Sequence, residues 1–137
     1  MEFTVGDWMN DLIVYIGPNK TVQEALALMR RRYINSLIVN KTEENDYGII
    51  TSTDISDKII AHHQNPSLLK IREVMTSPVI TVNQTMMLDE CARIMKEHRI
   101  HHLPVVDDTG KVIGMISATD FMVAAETIGH QPGVRFE

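Results

Sequence analysis

The chain contains two copies of one sequence unit, which lie 66 residues apart and align without insertions or deletions. Aligned identical residues include Met9 with Met75, Gly48 with Gly114, and the pair Thr53-Asp54 with Thr119-Asp120. A unit this short would have difficulty burying its own apolar face, so the two copies should pack on each other. We expect approximate two-fold symmetry, with a cleft between the copies lined by the recurring Thr-Asp pair.

The size and composition are those of a single globular protein. The chain has 137 residues, with 44% hydrophobic and 23% charged residues. A domain of roughly 150 residues buries about 70% of its unfolded surface, so one core shared by both copies is possible. Copy one should span residues 1–66 with an N-terminal lead-in, and copy two residues 67–137 with a C-terminal tail beginning near Gly129.

Charge and targeting signals argue against nucleic acid and membrane partners. The net charge is −5, and the one cationic run, Arg30–Arg32, falls at the end of a predicted helix, where cations favour the helix dipole. No stretch approaches 18 apolar residues, and the N-terminus lacks the features of a signal peptide. The sequence therefore predicts a cytoplasmic protein. The one cysteine, Cys91, should be a small buried residue within a helix.

Each copy has the pattern of a strand, a helix, two strands and a second helix, which predicts an α/β (α+β) fold. Apolar residues recur with helical spacing after Thr21 and again after Met87, whereas short apolar runs bounded by turn residues predict strands. The predicted elements are strands at 14–16, 37–39, 47–51, 80–82, 103–106 and 112–116, and helices at about 21–32, from 54 towards 62, at about 87–97, and from about 120.

A polar motif follows the last strand of each copy. Hydroxyl residues stand three and one positions before an aspartate that begins a helix: Thr51, Thr53 and Asp54 in one copy, and Ser117, Thr119 and Asp120 in the other. Thr53 or Thr119 could simply cap the helix. Capping alone would not require the additional hydroxyl, whereas free N–H groups, hydroxyls and a carboxylate could together bind a phosphate and a ribose diol. Both interpretations stay open from the residues alone.

The chain resembles the CBS-domain family from Val5 to about Ile128. The resemblance is carried by Val74–Val82, by Ile100–Asp107 and by Gly114–Asp120. Proteins of this family pair two repeats as one regulatory module, and many bind AMP, ADP, ATP or S-adenosylmethionine in the cleft between them. The resemblance implies no catalytic cofactor and such an adenosine compound as regulatory ligand.

The resemblance also implies residue roles. Asp54 and Asp120 would accept the ribose diol, and Thr51, Thr53, Ser117 and Thr119 would contact ribose or phosphate. The strand residues Val14, Tyr15, Ile16, Ile80, Thr81 and Val82 would border the adenine. His101 and His102 would contact phosphate, although their position at a helix end offers a competing, purely structural explanation. Because Asn35 and Ser36 replace this pair in the first copy, the two sites should be unequal.

Neither a metal site nor a catalytic centre is expected. The histidines show no zinc spacing, and no nucleophile is paired with a base in the sequence. We therefore predict a stand-alone regulatory ligand sensor that acts on an unidentified effector protein, with a purely structural or protein-interaction module as the alternative. The resemblance also implies a homodimer, to which Met29, Met86, Met87, Met95 and Met122 could contribute surface, although core packing is their commoner use. Trp8 is interpreted as a packing anchor or a dimer contact.

Overall fold

The computed structural model describes residues 3–130. The chain forms two compact units. One unit spans Val14–Val79, and the other combines the chain before Val14, with the short helix α1 (Val5–Trp8), and the chain after Val79. The expected division between residues 66 and 67 concerns the sequence copies and stays a prediction. The predicted C-terminal tail begins near Gly129, where the last helix ends, and its residues 131–137 lie outside the described residues.

The unit Val14–Val79 contains a three-stranded sheet and two helical segments. Its elements are β1 (Tyr15–Ile16), α2 (Val22–Arg32), β2 (Ser36–Val39), β3 (Gly48–Thr51), α3 (Ser52–Asp54) with a π-helical continuation (Ile55–Ile60), and two 3₁₀ turns (Pro66–Leu68 and Ile71–Glu73). The strand order is β1-β2-β3, with β1 parallel and β3 antiparallel to β2.

The other unit repeats this order after α1. It contains β4 (Val82–Asn83), α4 (Leu88–His98), β5 (His102–Val106), β6 (Val112–Ser117) and α5 (Ala118–Gly129). Its sheet has the order β4-β5-β6, again with a parallel pair followed by an antiparallel pair. The predicted α/β class and the order strand, helix, strand, strand, helix are therefore confirmed in both copies.

Several element boundaries differ from the sequence expectation, among them the starts of β4 and of the second helix of each copy. Ile80 and Thr81 were expected in a strand, but β4 pairs with β5 only through Val82 and Asn83. In the second copy, the helix expected from about Asp120 begins at Ala118. The second helix of the first copy was expected from Asp54 but begins at Ser52. Hydrogen bonds five residues apart then continue it as a π-helix, as from the Ala61 N–H to the Ser56 carbonyl.

Each unit has its own cluster of buried apolar side chains. The expected sharing of one core by both copies stays a prediction. The helical spacing predicted for α2 is confirmed, since Val22, Ala25 and Met29 are buried on one face. The aligned residues of α4 are also buried: Leu88, Cys91 and Met95. The apolar periodicity of each copy thus identifies the helix face that packs in its own unit.

The methionines and Trp8 divide between core and surface. Met29 and Met95 are buried, and Trp8 packs against the cluster of its own unit, which favours its interpretation as a packing anchor. Met122 in α5 is 72% exposed, and the neighbouring Val123 is 51% exposed. The predicted use of methionine in the core therefore holds for the first two, whereas Met122 lies on the surface.

The segment before each copy's first strand pairs with the last strand of a sheet. Asn10 exchanges two backbone hydrogen bonds of 2.9 Å with Met115 in β6, and Thr76 makes the equivalent exchange with Ile49 in β3. Asn10 lies in the lead-in of the first copy, yet it pairs with a strand of the second copy. This pairing explains why the chain before Val14 belongs to the unit that begins again at Ile80.

Gly48 and Gly114 allow these close approaches. A Cβ atom at Gly48 would lie 3.2 Å from the Thr76 carbonyl oxygen, and one at Gly114 would lie 3.1 Å from the Asn10 carbonyl oxygen. The thioethers of Met75 and Met9 would be closer still. Because backbone atoms cannot move aside without disturbing the paired strands, a side chain larger than hydrogen is disfavoured at both positions.

Gly48→Ala and Gly114→Ala should each lower the free energy of unfolding, by about 1–3 kcal/mol, because the new methyl group meets the paired segment. Gly129→Ala is the matched control, since a Cβ there meets no atom of residues 3–130 within 4 Å. It should be neutral or stabilising by about 0.5–1 kcal/mol through helix propensity. Urea denaturation of the three variants measures these effects, and equal stability of all three would contradict the packing argument.

Candidate functional site

The polar motif of the first copy forms the junction between β3 and α3. Thr51 is the N-cap residue, and its backbone N–H donates to Asp54 Oδ2 at 2.9 Å. The Thr51 hydroxyl lies 3.3 Å from the same carboxylate oxygen, and the Asp54 N–H lies 3.4 Å from the hydroxyl oxygen. This reciprocal arrangement is a capping box, with aspartate at the third helical position.

The second copy repeats the junction between β6 and α5. Ser117 is the N-cap residue, and its backbone N–H donates to Asp120 Oδ2 at 2.8 Å. The Ser117 hydroxyl donates to the same oxygen at 3.2 Å. In both copies one carboxylate oxygen is therefore committed to the start of the helix.

These contacts correct two parts of the sequence interpretation. Thr53 and Thr119 are not the capping residues, because each lies within the first turn of its helix, where it is exposed. The hydroxyls of Thr51 and Ser117 do not require a ligand, since the capping arrangement accounts for them. Helix capping thus explains the repeated hydroxyl spacing, and the predicted ligand contacts of these hydroxyls stay a prediction.

The second oxygen of Asp54 is engaged by two further donors. Lys58 Nζ lies 2.9 Å from Asp54 Oδ1 and also donates to the Val74 carbonyl at 2.7 Å. The Thr76 hydroxyl lies 3.4 Å from the same Asp54 oxygen. Asp54 is only 7% exposed. A buried carboxylate needs such compensation, because an unpaired charge is costly away from water.

The second oxygen of Asp120 is in a different environment. Within residues 3–130, no hydrogen bond or ion pair to Asp120 Oδ1 is formed. The residue aligned with Lys58 is Ala124, a buried apolar side chain, and the residue aligned with Thr76 is Asn10. The Asn10 side chain instead accepts from the Leu12 N–H at 2.8 Å. Asp120 is also partly exposed, so its Oδ1 can accept hydrogen bonds from another molecule.

His102 borders the Asp120 junction. In the β5–β6 pair His102 lies opposite Ser117, as Ser36 lies opposite Thr51 in the first copy. Burial lowers the pKa of His102, and the neighbouring His101 lowers it further, while Asp120 partly opposes the shift. His101 is exposed, and its carbonyl accepts from the Ala118 N–H. The structure thus places both histidines beside the start of α5.

The strand residues that were predicted to border the adenine differ in their exposure. The carbonyls of Val14 and Ile16 accept hydrogen bonds within the sheet, and the Tyr15 side chain is 38% exposed. In the second copy Ile80 is 39% exposed, Thr81 is exposed, and Val82 is buried. Tyr15, Ile80 and Thr81 therefore present surface that could contact a base, whereas Ile16 and Val82 belong to the cores.

Sequence reasoning missed Lys58 and Thr76. Lys58 stands four residues after Asp54, a spacing at which opposite charges meet on a helix, so this contact had a detectable signal. Thr76 is 22 residues from Asp54, and only the tertiary pairing of its segment with β3 brings the two together. Such a contact has no local sequence signal.

Residues 3–130 were also compared with the requirements of a cysteine nucleophile, a metal site and a membrane-spanning helix. Burial raises the pKa of Cys91 to about 11, so its thiol stays protonated at neutral pH and is poorly suited to act as a nucleophile. Among these residues, no group of three or more His, Cys, Asp or Glu side chains is placed to hold a metal ion. Within the same range, no helix has both the length and the apolar character needed to cross a bilayer.

Comparison with known proteins gives a consistent family match. The family model described as CBS domain matches residues 5–61 and 71–126. An uncharacterized protein of Methanopyrus kandleri, MK0525, is 32% identical over 119 residues, which are 87% of this chain and 61% of that protein. A homoserine O-acetyltransferase of Methanococcus vannielii is 35% identical over 127 residues, but the match covers 26% of its length. The chain thus spans less than two thirds of these relatives.

Solved structures agree with this match. The hexameric CBS-CP12 protein from bloom-forming cyanobacteria has a TM-score of 0.85 and 29% identity, covering 99% of this chain and 79% of that one. The CBS domain pair of protein MJ0100, solved in complex with 5′-methylthioadenosine and S-adenosyl-L-methionine, has a TM-score of 0.81 and 29% identity. That match covers 93% of this chain and 99% of the other.

Acidification should destabilise the protein partly through His102. Because its folded pKa lies below the ordinary value near 6.5, the folded state binds fewer protons than the unfolded state in the window below about pH 6.5. The stability contribution is fully present above that pH and is lost as the pH falls through the folded pKa. Urea unfolding at pH 7.5 and 5.5 should show that the free energy of unfolding falls less between these two pH values for His102→Gln than for the wild type.

A second variant tests the cause of this shift. His101→Gln should reduce the decline in part, because the His101 ring is one of the two influences that lower the His102 pKa. Identical declines in the wild type and in His102→Gln would contradict the assignment.

Proposed function

We propose that this chain, which belongs to the CBS domain family, is a regulatory module that binds an adenosine-containing ligand such as AMP, ADP, ATP or S-adenosylmethionine. The observation that carries the proposal is the Asp120 carboxylate at the start of α5. Its Oδ2 is held by Ser117, whereas its Oδ1 accepts no bond from residues 3–130. A carboxylate fixed in this way is suited to accept hydrogen bonds from a ribose diol.

The surroundings of Asp120 support a nucleotide more than a simple sugar. The first N–H groups of the twelve-residue helix α5 favour negative charge, and Thr119 is exposed beside them. His101 and His102 lie at the adjacent strand end and could contact phosphate. Since the pKa of His102 is lowered, it becomes cationic only at a pH below the ordinary value near 6.5. Any gain in affinity for a phosphate through His102 should appear in that lower range.

A related structure supports the ligand class. The CBS pair of protein MJ0100, at 29% identity, was solved with two adenosine compounds, one of which is S-adenosyl-L-methionine. Neither compound carries a phosphate group, so the diol and the base are the features shared with the nucleotides. We propose that the same features are recognised here, with Ile80 and Thr81 available beside the base.

The signal would be a change in conformation or association on binding. A ligand shifts an equilibrium only by its differential affinity for the two states, so the site must differ between them. We propose homodimerisation as part of this response. One related protein is hexameric, and Met122 and Val123 are exposed apolar residues of α5. The same exposed residues favour the alternative function, a protein-interaction module that binds no small molecule.

Thermal melting against AMP, ADP, ATP and S-adenosylmethionine tests the proposal. A ligand at 100 times its Kd should stabilise the wild type by about 2.7 kcal/mol and raise the Tm by several degrees. Asp120→Asn should abolish most of this rise. Its amide oxygen can still accept from the Ser117 N–H, while its NH₂ group is a donor where the diol needs an acceptor.

Ser117→Ala is the matched control for the helix junction. It removes the hydroxyl but keeps the backbone N–H that holds Asp120, so its ligand-free Tm should fall slightly while the ligand-induced rise persists. If none of the four compounds raises the Tm of nucleotide-free wild-type protein, the interaction module becomes the better assignment.

A further inference from the structure

We infer that Lys58 is a specificity-determining residue that closes the acidic site of the first repeat, so that each chain binds one adenosine ligand, at Asp120. This inference rests on the proposed function and deepens it. It follows from the different hydrogen-bond partners of two aligned carboxylates, Asp54 and Asp120. The two sites would have the same capacity if the helix junctions alone determined binding.

The hydrogen-bonding capacity of Asp54 is filled by its own unit. An ionised carboxylate offers about four acceptor positions on its two oxygens. At Oδ2 these meet the backbone N–H and the hydroxyl of Thr51, and at Oδ1 they meet Lys58 and Thr76. A ribose diol could bind Asp54 only by displacing Lys58 and Thr76 from Oδ1.

Lys58 is held in this position by more than the ion pair. Its ammonium group also donates to the Val74 carbonyl at 2.7 Å, so it bridges the helix and the segment that precedes the second copy's first strand. Asp54 is buried, and removing its cation would leave a charge with poor solvation. Displacement by a neutral hydroxyl is therefore unfavourable, even though the Lys58 side chain is 43% exposed.

The second repeat lacks both groups that occupy Oδ1. Ala124 stands at the position of Lys58 and is buried in the core of its unit. Asn10 stands at the position of Thr76 and directs its side-chain oxygen to the Leu12 N–H. The helix winding differs at the same place, because Lys58 lies in the π-helical continuation whereas α5 is α-helical throughout. Two substitutions thus separate a closed site from an open one.

Binding stoichiometry tests the role of Lys58. Titration calorimetry with AMP and, separately, with S-adenosylmethionine should give one site per wild-type chain. Lys58→Gln removes the cation yet keeps an amide donor for the Val74 carbonyl, and it should bind a second equivalent. Lys58→Arg keeps the charge and should remain at one. The 2′-deoxy form of AMP should bind at least about tenfold more weakly wherever the carboxylate accepts the diol.

Further variants assign the sites. Asp120→Asn should remove the wild-type site, and Asp54→Asn added to Lys58→Gln should remove only the second site. If Lys58→Gln is too unstable to titrate in buffer alone, titration in sucrose, which stabilises the folded state, provides a second route to the same opened carboxylate. Melting curves without ligand identify which variants are folded.

The possible outcomes separate this inference from the proposed function. Two sites in the wild type, or one site in every folded Lys58 variant, would overturn the role of Lys58 and leave the adenosine function standing. A single wild-type site that is lost in Asp54→Asn and kept in Asp120→Asn would also overturn it. No binding by the wild type or by any variant would instead contradict the proposed function itself.

Discussion

The fold of each repeat depends on a carboxylate that ties the end of a sheet to the start of a helix. Asp54 and Asp120 each accept the backbone N–H of a residue three positions earlier, at 2.9 and 2.8 Å. This bond fixes the direction in which the chain leaves the last strand, and it satisfies a donor that the sheet no longer pairs. The position of the neighbouring side chains around each helix start follows from that junction.

At each junction Oδ2 of the aspartate is bonded to the start of the helix, whereas Oδ1 lies in a different environment in each repeat. Because Oδ2 is bonded to the helix start in both repeats, the two carboxylates differ in what meets Oδ1. In the first repeat Lys58 and Thr76 meet it, and in the second repeat no residue within 3–130 does. The two copies therefore share a fold while, in the part of the chain that the structure describes, only the Asp120 carboxylate has an oxygen without a hydrogen bond from its own unit.

Much of this architecture was predictable from the sequence. The repeat, the order of elements and the buried faces of α2 and α4 follow from apolar periodicity, which is a local property. The pairing of the N-terminal lead-in was not predictable, because Asn10 meets Met115 from a distant part of the chain. The aspartates were expected to begin their helices but stand at the third helical position. The capping role of Thr51 and Ser117 was not predicted either, since the same residue types serve caps and ligands.

The different environments of Asp54 and Asp120 show the limit of prediction from the sequence. Asn35 and Ser36 in place of two histidines predicted unequal sites on grounds of phosphate charge, a difference at the strand end. The structure adds a difference at the carboxylate itself, where Lys58 neutralises Asp54. Under the proposed function, this second difference would act on every ligand that carries a ribose diol, whatever its phosphate charge. Loss of phosphate contacts would weaken a site for some nucleotides, whereas an occupied carboxylate disfavours the whole class.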